Sequence, residues 1–401
     1  MDFSLSDKAE DYLGRLQTFF DKHIFPNEKD YDNEIENSDD SLHIPNLLNE
    51  LKVIAKKEKL WNLFLPDEKY GPGLSNLDYA PLAELMGQVW WSSEVFNCSA
   101  PDTGNMEILA EFGTEEQKTK WLEPLLEGEI RSCFGMTEPG IPSSDATNIQ
   151  SSIVKDGDTY IINGRKWWTS NAVNPNAKLC IFMGITNPDN PPYQQQSQIL
   201  IPLDTEGVNI IRPMKVYGYD DGYTGHPEVS FTDVRVPVGN IIGDEGSGFA
   251  IAQARLGPGR IHHCMRTIGL AERALELMIN RAKSRSTFGK KIVEQGVVQD
   301  WIAESRIKIE QARLLTFKTA WLMDTVGKKG ARIEISAIKV AAVDAASYVV
   351  DKAIQTYGAE GLSQDTPLAR MSAGVRALRF ADGPDEVHKM SIAKREINKD
   401  N

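Results

Sequence analysis

The chain has 401 residues, of which 41% are hydrophobic and 25% charged, and its formal net charge is −13. That length suits two or three domains, and the composition is globular rather than disordered. An acidic balance disfavours a protein that works by neutralising phosphates, so nucleic acid is a poor partner. No stretch approaches the roughly 18 apolar residues that a membrane helix needs. The opening MDFSLSDKAEDY is acidic and lacks an apolar secretory core, so a cytoplasmic, bacterial setting is expected. The four cysteines, Cys98, Cys133, Cys180 and Cys264, form no C-x-x-C pair. They are expected to be small buried side chains, not zinc ligands or disulfides.

In chain order, residues 1–131 read as an N-terminal helical domain. Pro45 opens a segment with Leu47, Leu48, Leu51 and Ile54 on one face. Thr114-Glu115-Glu116-Gln117 has the form of a capping box. Residues 132–244 read as a middle antiparallel β-domain, with strand-like runs at 160–162, 166–170, 178–185, 198–203, 208–212 and 228–236. Asn163-Gly164 predicts a hairpin turn, and 188–198 a polar surface loop. Residues 245–401 read as a C-terminal four-helix bundle. Its periodic segments 293–326 and 331–356 are joined by Gly-Lys-Lys-Gly. The fold class is therefore α+β.

His262, His263 and Cys264 are consecutive. Helical neighbours diverge by about 100°, so the three cannot close on one metal, and no metal site is expected. There is no G-x-S-x-G elbow, no G-x-G-x-x-G and no phosphate-loop lysine motif. Three segments carry unusual chemistry. CFGMTEPG (133–140), followed by Ser143, Ser144 and Asp145, offers amides and hydroxyls to a heteroaromatic edge or an anion. Trp167-Trp168-Thr169-Ser170-Asn171 offers an aromatic cover beside a short hydroxyl. ADGPDEVH (381–388) places a carboxylate on a constrained turn, as a fixed base or as the cap of the last helix.

Together with RSTFGK (285–290) and QTYGAEG (355–361), these segments resemble, in order and along the whole chain, the acyl-CoA dehydrogenases. SSDATNI, GPGRIHHCMRTIG and DGPDEVH look like the subfamily of the human acyl-CoA dehydrogenase family members 10 and 11. The resemblance implies FAD, and α,β-desaturation of an acyl-CoA in fatty acid β-oxidation. It also implies electrons passed to an electron-transfer flavoprotein and a homodimer or homotetramer with shared FAD sites. Phe134, Met136, Thr137, Trp167 and Thr169 would contact the flavin. Arg285, Phe288, Gln355 and Gly358 would reach FAD across a subunit boundary, and Pro384 and Glu386 would lie beside it. Asp382 would remove the α-proton while hydride leaves Cβ for flavin N5, with Arg260 in support. Ser144, Gly383 and His263 would touch substrate.

The sequence departs from the common family pattern at several of these places. Aspartate replaces the usual glutamate base, Ala381 a tyrosine, and Ala359 a glycine. Pro384 and Glu386 stand where threonine and glutamine are usual. An acyl-CoA oxidase on the same fold and a catalytically silent, nucleic-acid-binding flavin fold are the alternatives. Acyl chain length, branching and 4-oxygenation are not legible.

Overall fold

The computed structural model describes residues 4–399. Helices occupy the first third: α1 (Asp7–Phe19), α2 (Glu28–Glu36), α3 (Asn46–Lys57), α4 (Asn76–Gly87), α5 (Ser92–Val95), α6 (Asp102–Phe112), α7 (Glu115–Gln117) and α8 (Glu123–Leu126). Strands follow: β1 (Arg131–Gly135), β2 (Ser152–Asp156), β3 (Thr159–Lys166), β4 (Ala177–Ile185), β5 (Gln196–Pro202), β6 (Val208–Met214), β7 (His226–Pro237) and β8 (Ile241–Ile242). The rest is α9 (Gly248–Ser284), a hairpin of β9 (Ser286–Thr287) and β10 (Lys290–Lys291), α10 (Gly296–Gly330), α11 (Arg332–Tyr357), α12 (Leu368–Leu378) and α13 (Asp385–Ile397). This is the helix, sheet, helix order expected of the α+β fold.

Packing groups the chain into two compact units. One holds the residues up to 29 with 51–96 and those from 259 onward; the other holds 30–50 and 97–258. In the first, α11 packs on α10, α12 and α13. Helix α4 meets α9 at two glycines that permit close approach. A Cβ on Gly87 would lie 1.9 Å from the Arg266 carbonyl oxygen, and one on Gly269 would lie 1.7 Å from that of Glu84. Arg313 of α10 binds Glu84 of α4 and Glu272 of α9, tying three helices with one guanidinium.

In the second unit, the main sheet runs β6-β7-β3-β2-β4-β5-β8, with β1 added on β4. Most pairs are antiparallel, but β1 joins β4 in parallel. Cys133, Ile162, Phe182, Ile201 and Phe231 lie in its apolar core. All four cysteines are free and buried.

Three local expectations are corrected. Asn163 and Gly164 lie inside β3, not at a turn. Gly164 is there for space, since a Cβ would fall 2.1 Å from Ser151 Oγ, and Asn163 bonds Asp233 across the sheet. The actual β2–β3 turn is at Gly157, φ +60°. The strand expected over 166–170 ends at Lys166, because Trp168 turns left-handed at φ +52°. The loop expected over 188–198 ends early: Gln196, Ser197 and Gln198 are fully buried in β5. Gln198 Nε2 donates to the Gly248 carbonyl at 2.9 Å. The Thr114–Gln117 capping box is present with both of its bonds.

Candidate active site

The sequence-predicted residues fall into two groups, one in each unit. In the helical unit the focus is Asp382, in the turn between α12 and α13. Its φ is +56° and that of Gly383 is +105°, so two successive residues are left-handed. A Cβ on Gly383 would come 3.1 Å from His388 Nε2, which favours glycine there twice over. Asp382 is not a helix cap. Pro384 takes that position and Asp385 begins α13. Asp385 is instead buried against Arg379, which donates Nη1 to it at 2.6 Å.

Arg260, on α9, donates Nε to the backbone carbonyl of Asp382 at 3.0 Å. It is half-buried rather than a surface ion pair, and burial pulls its guanidinium below the ordinary value while the Asp382 charge opposes this. His263, one turn along α9, sets Nε2 3.6 Å from Asp382 Oδ2. Its Nδ1 faces Arg266 Nη2 at 3.3 Å. A guanidinium only donates, so Nδ1 accepts and Nε2 carries the proton toward the carboxylate. His262 points elsewhere, edge-on to Tyr79 at 5.0 Å between ring centres. The divergence of the two histidines is that expected on a helix.

His388 and Lys339 complete the surroundings of Asp382. Buried His388 places Nε2 3.3 Å from the Asp382 carbonyl. Burial, then the charges of Arg260 and Lys339, push its pKa down to about 4, so it is neutral at pH 7. Lys339 is fully buried, and its ammonium donates to the Leu378 carbonyl at the end of α12. Gln355 and Gly358, at the C-terminal end of α11, are exposed, as are Arg285 and Glu386. Phe288 is 99% exposed, on a left-handed turn at φ +50°.

In the β-unit, the MTEPG and KWWTS segments are zipped together. Trp167 N–H donates to the Thr137 carbonyl at 3.0 Å, and Thr137 Oγ1 donates back to the Trp167 carbonyl at 2.7 Å. The Thr137 hydroxyl proton is thus committed to the protein. Beneath lies Lys166, fully buried, with Nζ 2.7 Å from Glu138 Oε1, 3.0 Å from the Met136 carbonyl and 2.7 Å from that of Met183. Burial lowers the Lys166 pKa to about 8, and Glu138 restrains the fall. Burial works against ionisation of Glu138, but the Lys166 charge and the hydrogen bonds from Lys166, Ser151 and Gln150 together outweigh it, and the carboxyl is held below its usual range. Phe134 carries the Arg255 guanidinium 4.2 Å over its ring. Ser144 is exposed; its neighbour Ser143 does the local bonding, accepting from Glu138 N–H at 2.8 Å.

Thr169 tests whether this surface fits a flavin. Its side chain is 1% exposed, and Oγ1 is buried with no hydrogen-bond partner among the described residues. A buried hydroxyl left unpaired costs about 1–3 kcal/mol. A heteroaromatic edge with acceptor atoms would relieve it. Met136, Trp167 and Thr169 therefore suit a flavin ring.

Lys166, Glu138 and Lys339 escaped the sequence reading. One signal for Lys166 was available: it shares the inward parity of Tyr160 and Ile162 on β3.

Three family models match in series: acyl-CoA dehydrogenase N-terminal domain (residues 6–129), middle domain (133–234) and C-terminal domain (246–397). The chain belongs to the acyl-CoA dehydrogenase family, and is an FAD-dependent oxidoreductase of that family. It is 55% identical over 405 residues to "Probable acyl-CoA dehydrogenase FadE2" of Mycobacterium tuberculosis, covering 100% of this chain and 98% of that one. It is 54% identical over 400 residues to human "Acyl-CoA dehydrogenase family member 11", covering 98% of this chain and 51% of that protein. The chain therefore spans about half the length of that human relative. A solved structure, a putative acyl-CoA dehydrogenase from Mycobacterium abscessus, superposes with TM-score 0.96 at 48% identity, covering 99% of this chain and 100% of that one. No helix among the described residues is long and apolar enough to cross a membrane.

Proposed function

We propose that the chain desaturates an acyl-CoA thioester between Cα and Cβ, with Asp382 as the base. The observation that carries this is the Asp382 turn. Arg260 binds the main-chain carbonyl of Asp382, so the carboxylate is placed by its backbone. An α-proton is a poor acid, and the base must meet it at a fixed distance and angle. Aspartate is one methylene shorter than glutamate, and the doubly left-handed turn defines where that shorter arm starts.

Bound FAD supplies the acceptor for the β-hydride. The protein's own contribution is positional and electrostatic. Met136, Trp167 and Thr169 would hold the flavin ring, with Thr169 Oγ1 supplying a hydrogen bond. Lys166 fixes the Met136 carbonyl from below. Asp382 takes the α-proton and holds it on its carboxyl. His263 Nε2 faces that carboxylate at 3.6 Å.

Exposed Arg285, Phe288, Gln355 and Gly358 suit a second subunit's FAD, in a dimer or tetramer. Three domains divided at 131/132 and 244/245, and an electron-transfer flavoprotein as acceptor, belong to the same reading. Ser144, Gly383 and His263 stay candidates for substrate contact. The test is product analysis. Saturated acyl-CoA incubated with the enzyme and an electron-transfer flavoprotein should lose two hydrogens and gain a 2,3-double bond. Peroxide formed in air at the same rate without that acceptor would instead identify an oxidase.

A further inference from the structure

Ser170, His226 and Asp221 form a hydrogen-bonded chain that the desaturation chemistry does not use. Ser170 Oγ lies 2.7 Å from His226 Nδ1, and His226 Nε2 lies 3.0 Å from Asp221 Oδ2. An ionised carboxylate only accepts, so Nε2 carries the proton and Nδ1 accepts from the Ser170 hydroxyl. The arrangement has the order of a nucleophilic triad. The backbone argues against that chemistry, because an acyl-transfer site needs free N–H groups aimed at an oxyanion. Here Thr169 N–H goes to the Pro227 carbonyl, Ser170 N–H to that of Trp168, Asn171 N–H to that of Gly225, and Ala172 N–H to that of Thr169.

Those same bonds show what the chain of residues does hold. Trp168 sits at φ +52° and Asn171 at φ +75°, two left-handed non-glycine residues three apart. Tryptophan in that region is strained, and such a turn persists only if its surroundings fix it. One end is fixed by the Thr137–Trp167 pair. The other end is stitched to residues 225–227, whose centre is His226. The His226 imidazole lies 5.8 Å from the Trp168 ring, bonds Ser170 through Nδ1 and is itself held by Asp221 through Nε2. Between the two ends is Thr169, with its unpaired buried hydroxyl.

We propose that His226, oriented by Asp221, is a positioning residue that locks the 167–171 turn and so aims the Thr169 hydroxyl at the flavin. This rests on the reading that Thr169 meets the flavin, and the experiment separates the two.

The measurements are the FAD dissociation constant of the apoprotein, the visible band shape of the holoenzyme, and the apoprotein melting temperature. His226→Ala should weaken FAD binding about tenfold and alter the flavin band. His226→Asn, whose amide oxygen replaces Nδ1 as acceptor for Ser170, should recover most of that loss. His226→Gln, which reaches toward Asp221 instead, should recover less. Ser170→Ala removes only the hydroxyl and should weaken binding several-fold; it carries the test if His226→Ala does not fold. Folded His226→Ala and Ser170→Ala proteins that bind FAD within twofold of wild type, with an unchanged band, overturn the proposal. A general loss of melting temperature without those two changes also overturns it, as a merely structural role. If Thr169→Val changes affinity and band while the His226 and Ser170 variants do not, the Thr169 reading stands and the inference fails. If Thr169→Val changes neither, both fail.

Discussion

Arg260 donates Nε to the backbone carbonyl of Asp382 at 3.0 Å, across 122 residues of sequence. The arginine thereby fixes the main chain of the proposed base. Arg260→Lys keeps the positive charge but loses the planar donor. A misplacement of about 1 Å can cost roughly a hundredfold in rate. The expected outcome is a tenfold to hundredfold slower anaerobic flavin bleaching by acyl-CoA, with FAD content unchanged. Equal bleaching rates would remove Arg260 from the account.

Lys166 is the single cation under the MTEPG and KWWTS junction among the bonds described there, and Lys166→Met leaves Glu138 buried without it. Breaking one side of a buried pair costs about 3–5 kcal/mol. Lys166→Met should melt well below wild type and retain little FAD. The double variant Lys166→Met, Glu138→Gln should recover part of the stability. A double variant no more stable than the single one would contradict this.

Burial pushes His262 down to about 3, with Arg266 and His263 adding to the shift, and His388 to about 4. Both folded values lie below the ordinary 6.5. Between those values and 6.5 the unfolded chain binds more protons, so stability is complete above about pH 6.5 and is lost as pH falls. His262→Phe, which keeps an aromatic ring against Tyr79, should flatten the fall in denaturation midpoint between pH 6.5 and 4. An unchanged slope would show that His262 is not responsible.

Gly269→Ala puts a methyl group 1.7 Å from the Glu84 carbonyl oxygen, a backbone atom that a rotamer change cannot move. Overpacking of this kind typically costs about 1–3 kcal/mol and more where backbone must shift. Gly374→Ala, at a helical glycine with nothing within 4 Å of the added carbon, should be nearly neutral. Comparable melting temperatures for the two would refute the close α4–α9 contact.

The three zones of secondary structure were legible because their apolar periods differ: long 3.6-residue repeats flank short β-branched runs. Asn163-Gly164 misled because the pair has the chemistry of a turn, whereas the glycine answers to a non-local clash with Ser151. The KWWTS strand failed likewise, since Trp168 is left-handed in a turn whose Thr169 and Asn171 bond to residues 225–227, far along the chain. Asp382 stood out through its Gly-Pro neighbours. Arg260 was placed beside it only by the family resemblance, because Arg260 and His263 reach it through the phase of α9 against a turn far along the chain. His263 was expected at substrate, and the structure sets its Nε2 3.6 Å from the Asp382 carboxylate.

The most direct measurement is an anaerobic visible spectrum of the purified protein before and after addition of a panel of acyl-CoAs, repeated with Asp382→Asn. The account expects a yellow protein whose flavin band bleaches with at least one acyl class, and an Asp382→Asn protein equally yellow that does not bleach. Bleaching that survives Asp382→Asn would contradict the assignment of the base, and a yellow wild-type protein that no acyl-CoA bleaches would contradict the proposed reaction.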